Sequence, residues 1–164
     1  MSDAAFSSSR FASAIVLLGA SIVFGLSGCA STPEPEEPRP EGTGTIEVVI
    51  DDLKKLKGQL LVSVFLTSDG FPNNPDKAFL SEVLPVDKKK FTIVFEDVPA
   101  GAFAISAFHD TDKDFELDKG LFGIPSERWG VSKDAEGFMG PPSFGQARLE
   151  LEAGERLTVP VPLG

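Results

Sequence analysis

The chemistry-bearing residues crowd into one stretch, His109-Asp110-Thr111-Asp112-Lys113-Asp114-Phe115-Glu116-Leu117-Asp118. Counted from Asp110, carboxylates fall at positions 1, 3, 5, 7 and 9. Calcium loops of the EF-hand type place oxygen ligands in nearly this rhythm, because the ion takes about six to eight hard oxygens and alternate side chains on a curling loop can converge on it. Asp110, Asp112, Asp114, Glu116 and Asp118 are therefore candidate metal ligands, with calcium as the candidate ion. The pattern is incomplete. Phe115 stands where such loops use Gly for a sharp turn, and Leu121 stands where a bidentate Glu closes the site. A site of this kind is expected to be weak, with a Kd of about 10⁻⁴ to 10⁻³ M. The same run also reads as an acidic surface turn whose Asp side chains cap backbone amides.

His109 is the chain's single histidine and thus its one imidazole for acid–base chemistry. A hydrolase would have to combine it with Asp110, Asp112 or Glu127. Adjacent residues on a strand point to opposite faces, so His109 next to Asp110 is a weak pairing signal. No G-x-S-x-G elbow, P-loop or G-x-G-x-x-G run occurs. The expectation is a non-catalytic binding or structural domain, with an envelope hydrolase as the alternative. One Cys excludes a disulfide within the chain and, with one His, a Cys/His zinc cluster.

That cysteine has its own context. Phe11 to Leu26 is an uncharged apolar run, short for a bilayer span but suited to the apolar region of an export signal. Arg10 precedes it, and Leu26-Ser27-Gly28-Cys29 resembles the lipobox of bacterial lipoproteins. The resemblance implies cleavage before Cys29, removal of residues 1–28 and acylation of Cys29 at the new N-terminus. Each buried methylene adds about 0.8 kcal/mol, so two or more acyl chains give a stable anchor. Ala30 follows the cysteine; the lipoprotein sorting pattern uses Asp there for inner-membrane retention, which implies an outer-membrane location where the cell has one. Residues 29–44 then read as a Pro- and Glu-rich tether, extended by about 3 Å per residue.

The remaining 45–164 suffice for one domain with a single core. A net charge of −10 and a pI near 4.5 argue against nucleic acid and against electrostatic adhesion to anionic headgroups. The partners expected are the membrane, through the lipid, and an envelope glycan or protein.

The elements that must position these residues show period-two alternation. Ile46, Val48 and Ile50 share one face, as do Leu60, Val62, Val64 and Leu66. Phe91, Ile93 and Phe95 form a third set, and Phe103, Ile105 and Ala107 a fourth. Ala147, Leu149 and Leu151, then Leu157, Val159, Val161 and Leu163, complete the pattern. Such alternation predicts strands with one buried face. Pro160 and Pro162 place the last strand at a sheet edge, because proline donates no ladder hydrogen bond. Short helical turns are expected in Asp51–Lys57 and Asn74–Leu80. The sum is an all-β, antiparallel sandwich of six to seven strands.

Asp97-Val98-Pro99-Ala100-Gly101, Phe103-Ala104-Ile105 and His109-Asp110 together resemble the uncharacterised bacterial family called domain of unknown function 2141. So do Asp112, Asp114, Leu117-Asp118, Phe122-Gly123-Ile124-Pro125, Glu127, Gly130, Ser132, Gly140-Pro141-Pro142-Ser143-Phe144 and Ala147. The resemblance covers about residues 45–163 and implies a secreted or surface sandwich of transthyretin-like or carboxypeptidase-regulatory-like form. It implies no activity. Lys113 and Phe115 depart from the smaller residues of the family's loop. The long excursion from Gly123 to Phe144 carries Trp129, Phe138, Met139 and Phe144, which serve either to pack it down or to offer an aromatic surface to a glycan.

Overall fold

The computed structural model describes residues 38–115, 117 and 126–164. Cys29, Glu116 and Asp118 lie outside the described residues, as do the apolar run and most of the tether.

Among the described residues, eight strands form two sheets. Sheet A contains β1 (Thr43–Ile50), β4 (Phe91–Pro99) and β8 (Arg156–Pro160) in the order β4-β1-β8. Sheet B contains β2 (Gln59–Phe65), β3 (Leu80–Pro85), β5 (Gly101–Asp110) and β6 (Trp129–Val131) in the order β3-β2-β5-β6, with β7 (Leu149–Leu151) also paired to β5. The faces predicted by alternation meet between the sheets: Ile46, Val48, Ile50, Leu60, Val62, Val64, Phe103 and Ile105 are all fully buried there. The fold is the expected all-β sandwich.

Several details differ from the sequence expectation. The first strand starts at Thr43, where a register shift between Gly44 and Ile46 interrupts the pattern. Strands β3 and β6 are additional; β3 is largely exposed and β6 is three residues long, so neither shows a clean apolar alternation. Asp51–Lys57 is irregular, and the second expected helical turn shrinks to a 3-10 turn at Pro75–Lys77. Ala147 ends a short helix, α1 (Phe144–Ala147), instead of opening a strand, because Ser143 and Gln146 form a reciprocal capping box.

The sheets are not wholly antiparallel either: β8 runs parallel to β1. It is nonetheless the edge strand that Pro160 and Pro162 require. The Val161 amide bonds inward to the Val49 carbonyl at 2.9 Å. The alternate positions 160 and 162 therefore face the free edge, where a missing N–H removes the donors a foreign strand would use.

The feature that places the acidic loop is a split edge of sheet B. β6 and β7 pair with successive parts of the same side of β5, Ser106 opposite Val131 and Phe103 opposite Leu149. Residues 133–148 leave the edge between them. The buried Ser132 hydroxyl bridges the gap, accepting from the Ile105 amide at 3.0 Å and donating to the Ala147 carbonyl at 2.7 Å. A side chain thus completes the ladder where the main chain departs.

Candidate functional site

The acidic loop begins where β5 ends. His109 and Asp110 are the last two residues but one face apart, and they have separate environments. His109 shares the inward face of Phe103, Ile105 and Ala107 and is 2% exposed. Its Nε2 lies 2.8 Å from the Lys57 carbonyl, which can only accept, so that nitrogen carries the hydrogen. The ring ties the start of β2 to the end of β5, and its described bond goes to backbone instead of to a carboxylate.

Asp110 points to the outer face of sheet B, beside Gln59 on β2. It is fully buried. Gln59 Nε2 donates to Oδ2 at 2.7 Å, the Lys113 amide to Oδ1 at 2.6 Å, and the Phe115 amide to Oδ2 at 3.1 Å. Burial is the largest single influence on this carboxyl and pushes its pKa up. The donors from Gln59 and the amides of Lys113, Phe115 and Asp112 together outweigh it, and the pKa lies below the ordinary Asp value. Asp110 is therefore a buried, ionised organiser that winds the loop around itself, as the amide-capping reading anticipates.

The winding is tight. Lys113 and Phe115 both take left-handed backbone angles, with φ of 71° and 67°. Phe115 adopts the conformation for which Gly would be the easy choice, a disfavoured state for a bulky residue. Gly58 supplies closeness on the other side: a Cβ there would sit 2.1 Å from the Asp110 carbonyl oxygen. That approach needs glycine, which also takes φ of 78° without strain.

Glu127 completes the arrangement. Phe108 faces Trp129 across the β5–β6 pair, and the His109 amide bonds to the Arg128 carbonyl at 2.8 Å. Continuing that register by one residue sets Glu127 opposite Asp110. Glu127 is 6% exposed, and its Oε1 accepts from the Thr111 amide at 2.5 Å and the Thr111 hydroxyl at 3.0 Å. One carboxylate oxygen each from Asp110, Asp112 and Glu127 lie within 4.8 Å of one another. Asp112 is the exposed member.

The converging set thus differs from the sequence-derived one. Asp110 and Asp112 belong to it; Asp114 is not among the converging residues, and Glu116 and Asp118 lie outside the described residues. The sequence offers Glu127 only as a candidate hydrolase carboxylate; spacing along one loop could not supply it as a metal ligand, and it reaches Asp110 and Asp112 through strand register. The signal that could have found it was the polar Glu127-Arg128 step immediately before Trp129-Gly130-Val131.

An outer-face groove adjoins the cluster. Ser106, Phe108 and Trp129 line it from β5 and β6, joined by Pro72, Asn73, Phe115 and Leu117 from neighbouring loops, around about 280 Å³. Trp129 is half-buried there, and Phe144 packs edge-on against Phe71 at 5.8 Å. Phe138 and Met139 do not pack: they are 97% and 93% exposed.

A two-sheet sandwich with an acidic loop at the end of a central strand is the class of domain defined here. Residues 48–158 match the model of the family described as "Uncharacterized protein conserved in bacteria (DUF2141)", and the chain belongs to that family. No curated protein and no solved structure matches it.

Proposed function

We propose that this chain is a lipid-anchored, non-catalytic envelope domain that holds a divalent cation, calcium by its oxygen chemistry, at Asp110, Asp112 and Glu127. The observation that carries this reading is the approach of three carboxylates from two chain segments, two of them buried. Like charges directly across a strand pair repel. A shared proton would relieve them, but the lowered pKa of Asp110 favours the ionised state. A divalent cation offsets the repulsion without a proton, and hard carboxylate oxygens match calcium. Asp110 already accepts three described hydrogen bonds, so its main task is to fix the loop. Asp112, the exposed member, has room to offer an oxygen to the ion.

Calorimetric titration with calcium tests the site. A saturable heat, with thermal stabilisation at millimolar calcium, is the expected result. Asp112→Asn should remove both while leaving the metal-free melting temperature no lower than the parent's, because Asp112 is exposed and its charge adds to the repulsion. No heat and no stabilisation in the parent chain would end the cation reading. For the anchor, mass spectrometry of the membrane fraction should find acylated Cys29 as the first residue; an intact Met1 would refute it.

A further inference from the structure

We propose that the groove on the outer face of sheet B is a recognition site for a neutral saccharide, with Phe115 as one of its contact residues. The cavity is separate from the carboxylate cluster, and three properties identify its occupant.

The first property is its lining. Phe108 and Trp129 are cross-strand partners, so both side chains rise from the same face of the β5–β6 pair into the groove. Phe115 adds a third ring at the rim, 57% exposed. Ser106 and Asn73 contribute a hydroxyl and an amide. Apolar ring surface with a few placed polar groups is the composition of small-ligand sites, and about 280 Å³ falls just below their usual range of about 300–1,000 Å³, which suits a small ligand or one ring of a larger one. A sugar ring presents C–H faces to aromatic rings and hydroxyls to amides, and matches this lining.

The second property is the backbone behind it. β5 is paired on one side with β2 and on the other with β6 and β7. The groove therefore lies over β5, whose two edges are both taken, so a peptide could not bind there by pairing with β5. The third property is charge. With a net charge of −10 and the carboxylate cluster alongside, the surface disfavours an anionic ligand.

Phe115 ties the groove to the loop. Its amide donates to Asp110 Oδ2, its φ is 67°, and its ring is left largely exposed against the groove. A bulky residue held in a glycine-like conformation, with its ring unburied, gains little packing energy from that placement. Backbone strain of this type persists where the surroundings enforce it, often at ligand contacts.

Trp129 is the chain's single tryptophan, so its emission reports on the groove lining directly. The full chain is titrated with the neutral trimer of β-1,4-linked N-acetylglucosamine, and separately with an end-blocked apolar tetrapeptide. Saturable quenching or a blue shift with the trimer is expected, at least tenfold weaker in Phe115→Gly, which keeps the left-handed backbone without strain. Asn73→Ala, an exposed substitution in the lining, should also weaken binding several-fold. No response to the trimer, an unchanged midpoint in both variants, or a response to the tetrapeptide alone would overturn the proposal. Repeating the titration with calcium and with chelator separates the two sites: trimer binding that survives chelator supports the groove even where calcium gives no heat.

Discussion

The two sheets of this sandwich treat their outer faces differently. Along β4 in sheet A, buried Phe91, Ile93 and Phe95 alternate with exposed Thr92, Val94 and Glu96. Along β2 in sheet B every residue from Gln59 to Phe65 is buried. Sheet A has one packed face and one wet face, as antiparallel sheets often do. Sheet B carries a second layer, built by the segment between β2 and β3 and by the 133–148 excursion. Phe71 from the first and Phe144 from the second stack edge-on over Phe65 and Ala104. The carboxylate cluster and the aromatic groove both lie on the covered side. The plain face shows what the sandwich needs to fold; the layered face shows what has been added to it.

Substitutions can break or sharpen this contrast. The largest effect is expected at Phe65, fully buried on the outer face of sheet B with its ring 5.4 Å from that of Phe71. Phe65→Ala should cost about 3–5 kcal/mol in denaturant unfolding, as a core truncation does. A cost below 1 kcal/mol would show that the second layer contributes little to stability. Asp110→Ala comes next, because it leaves the buried Gln59 amide and the loop N–H groups of Asp112, Lys113 and Phe115 without their acceptor. A loss of about 1–3 kcal/mol is expected, together with faster hydrogen exchange at Lys113 and Phe115.

The pH dependence of the same residue follows from its lowered pKa. The stability it provides is complete above the unfolded carboxylate value of about 4 and is lost as pH falls through the lower folded value. Acid unfolding of the parent chain should therefore contain a component below about pH 4 that Asp110→Asn lacks. Identical acid profiles for the two proteins would contradict this role.

Ser132→Ala tests the joint between the covering layer and the sheet. It removes the acceptor of the buried Ile105 amide and the donor to Ala147. A cost of about 1–3 kcal/mol is expected, with spectral changes concentrated near Ile105 and Ala147. The smallest effect belongs to the wet face of sheet A: Thr92→Ala should stay within about 0.5 kcal/mol of the parent. A larger loss there would mean that sheet A also has a packed outer face.

The strands of the plain side were legible in the sequence because alternation is a local record of one-sided burial. Ile46, Val48 and Ile50 could be assigned to the core from spacing alone, and Pro160 and Pro162 marked an edge because a missing donor is a property of the residue itself. Leu61, Ser63 and Phe65 were harder, since two-sided burial erases the period that marks a face. β3 left no signal, as Ser81, Glu82 and Val83 are exposed and carry no apolar repeat.

The candidate site divides in the same way. Local residue order carries the family resemblance, the inward strand faces and the crowding of carboxylates after β5. It also marked Asp110 as a residue able to cap its own loop, because Asx capping operates over a few residues. Only the tertiary structure decided that His109 turns into the core while Asp110 turns out. It also decided that Glu127 comes to Asp110 through strand pairing, that β8 runs parallel to β1, and that Phe115 lines a groove together with Phe108 and Trp129. Those outcomes depend on which strands become neighbours and in what register. That choice is made by burial of surfaces distant in sequence, and no local spacing encodes it.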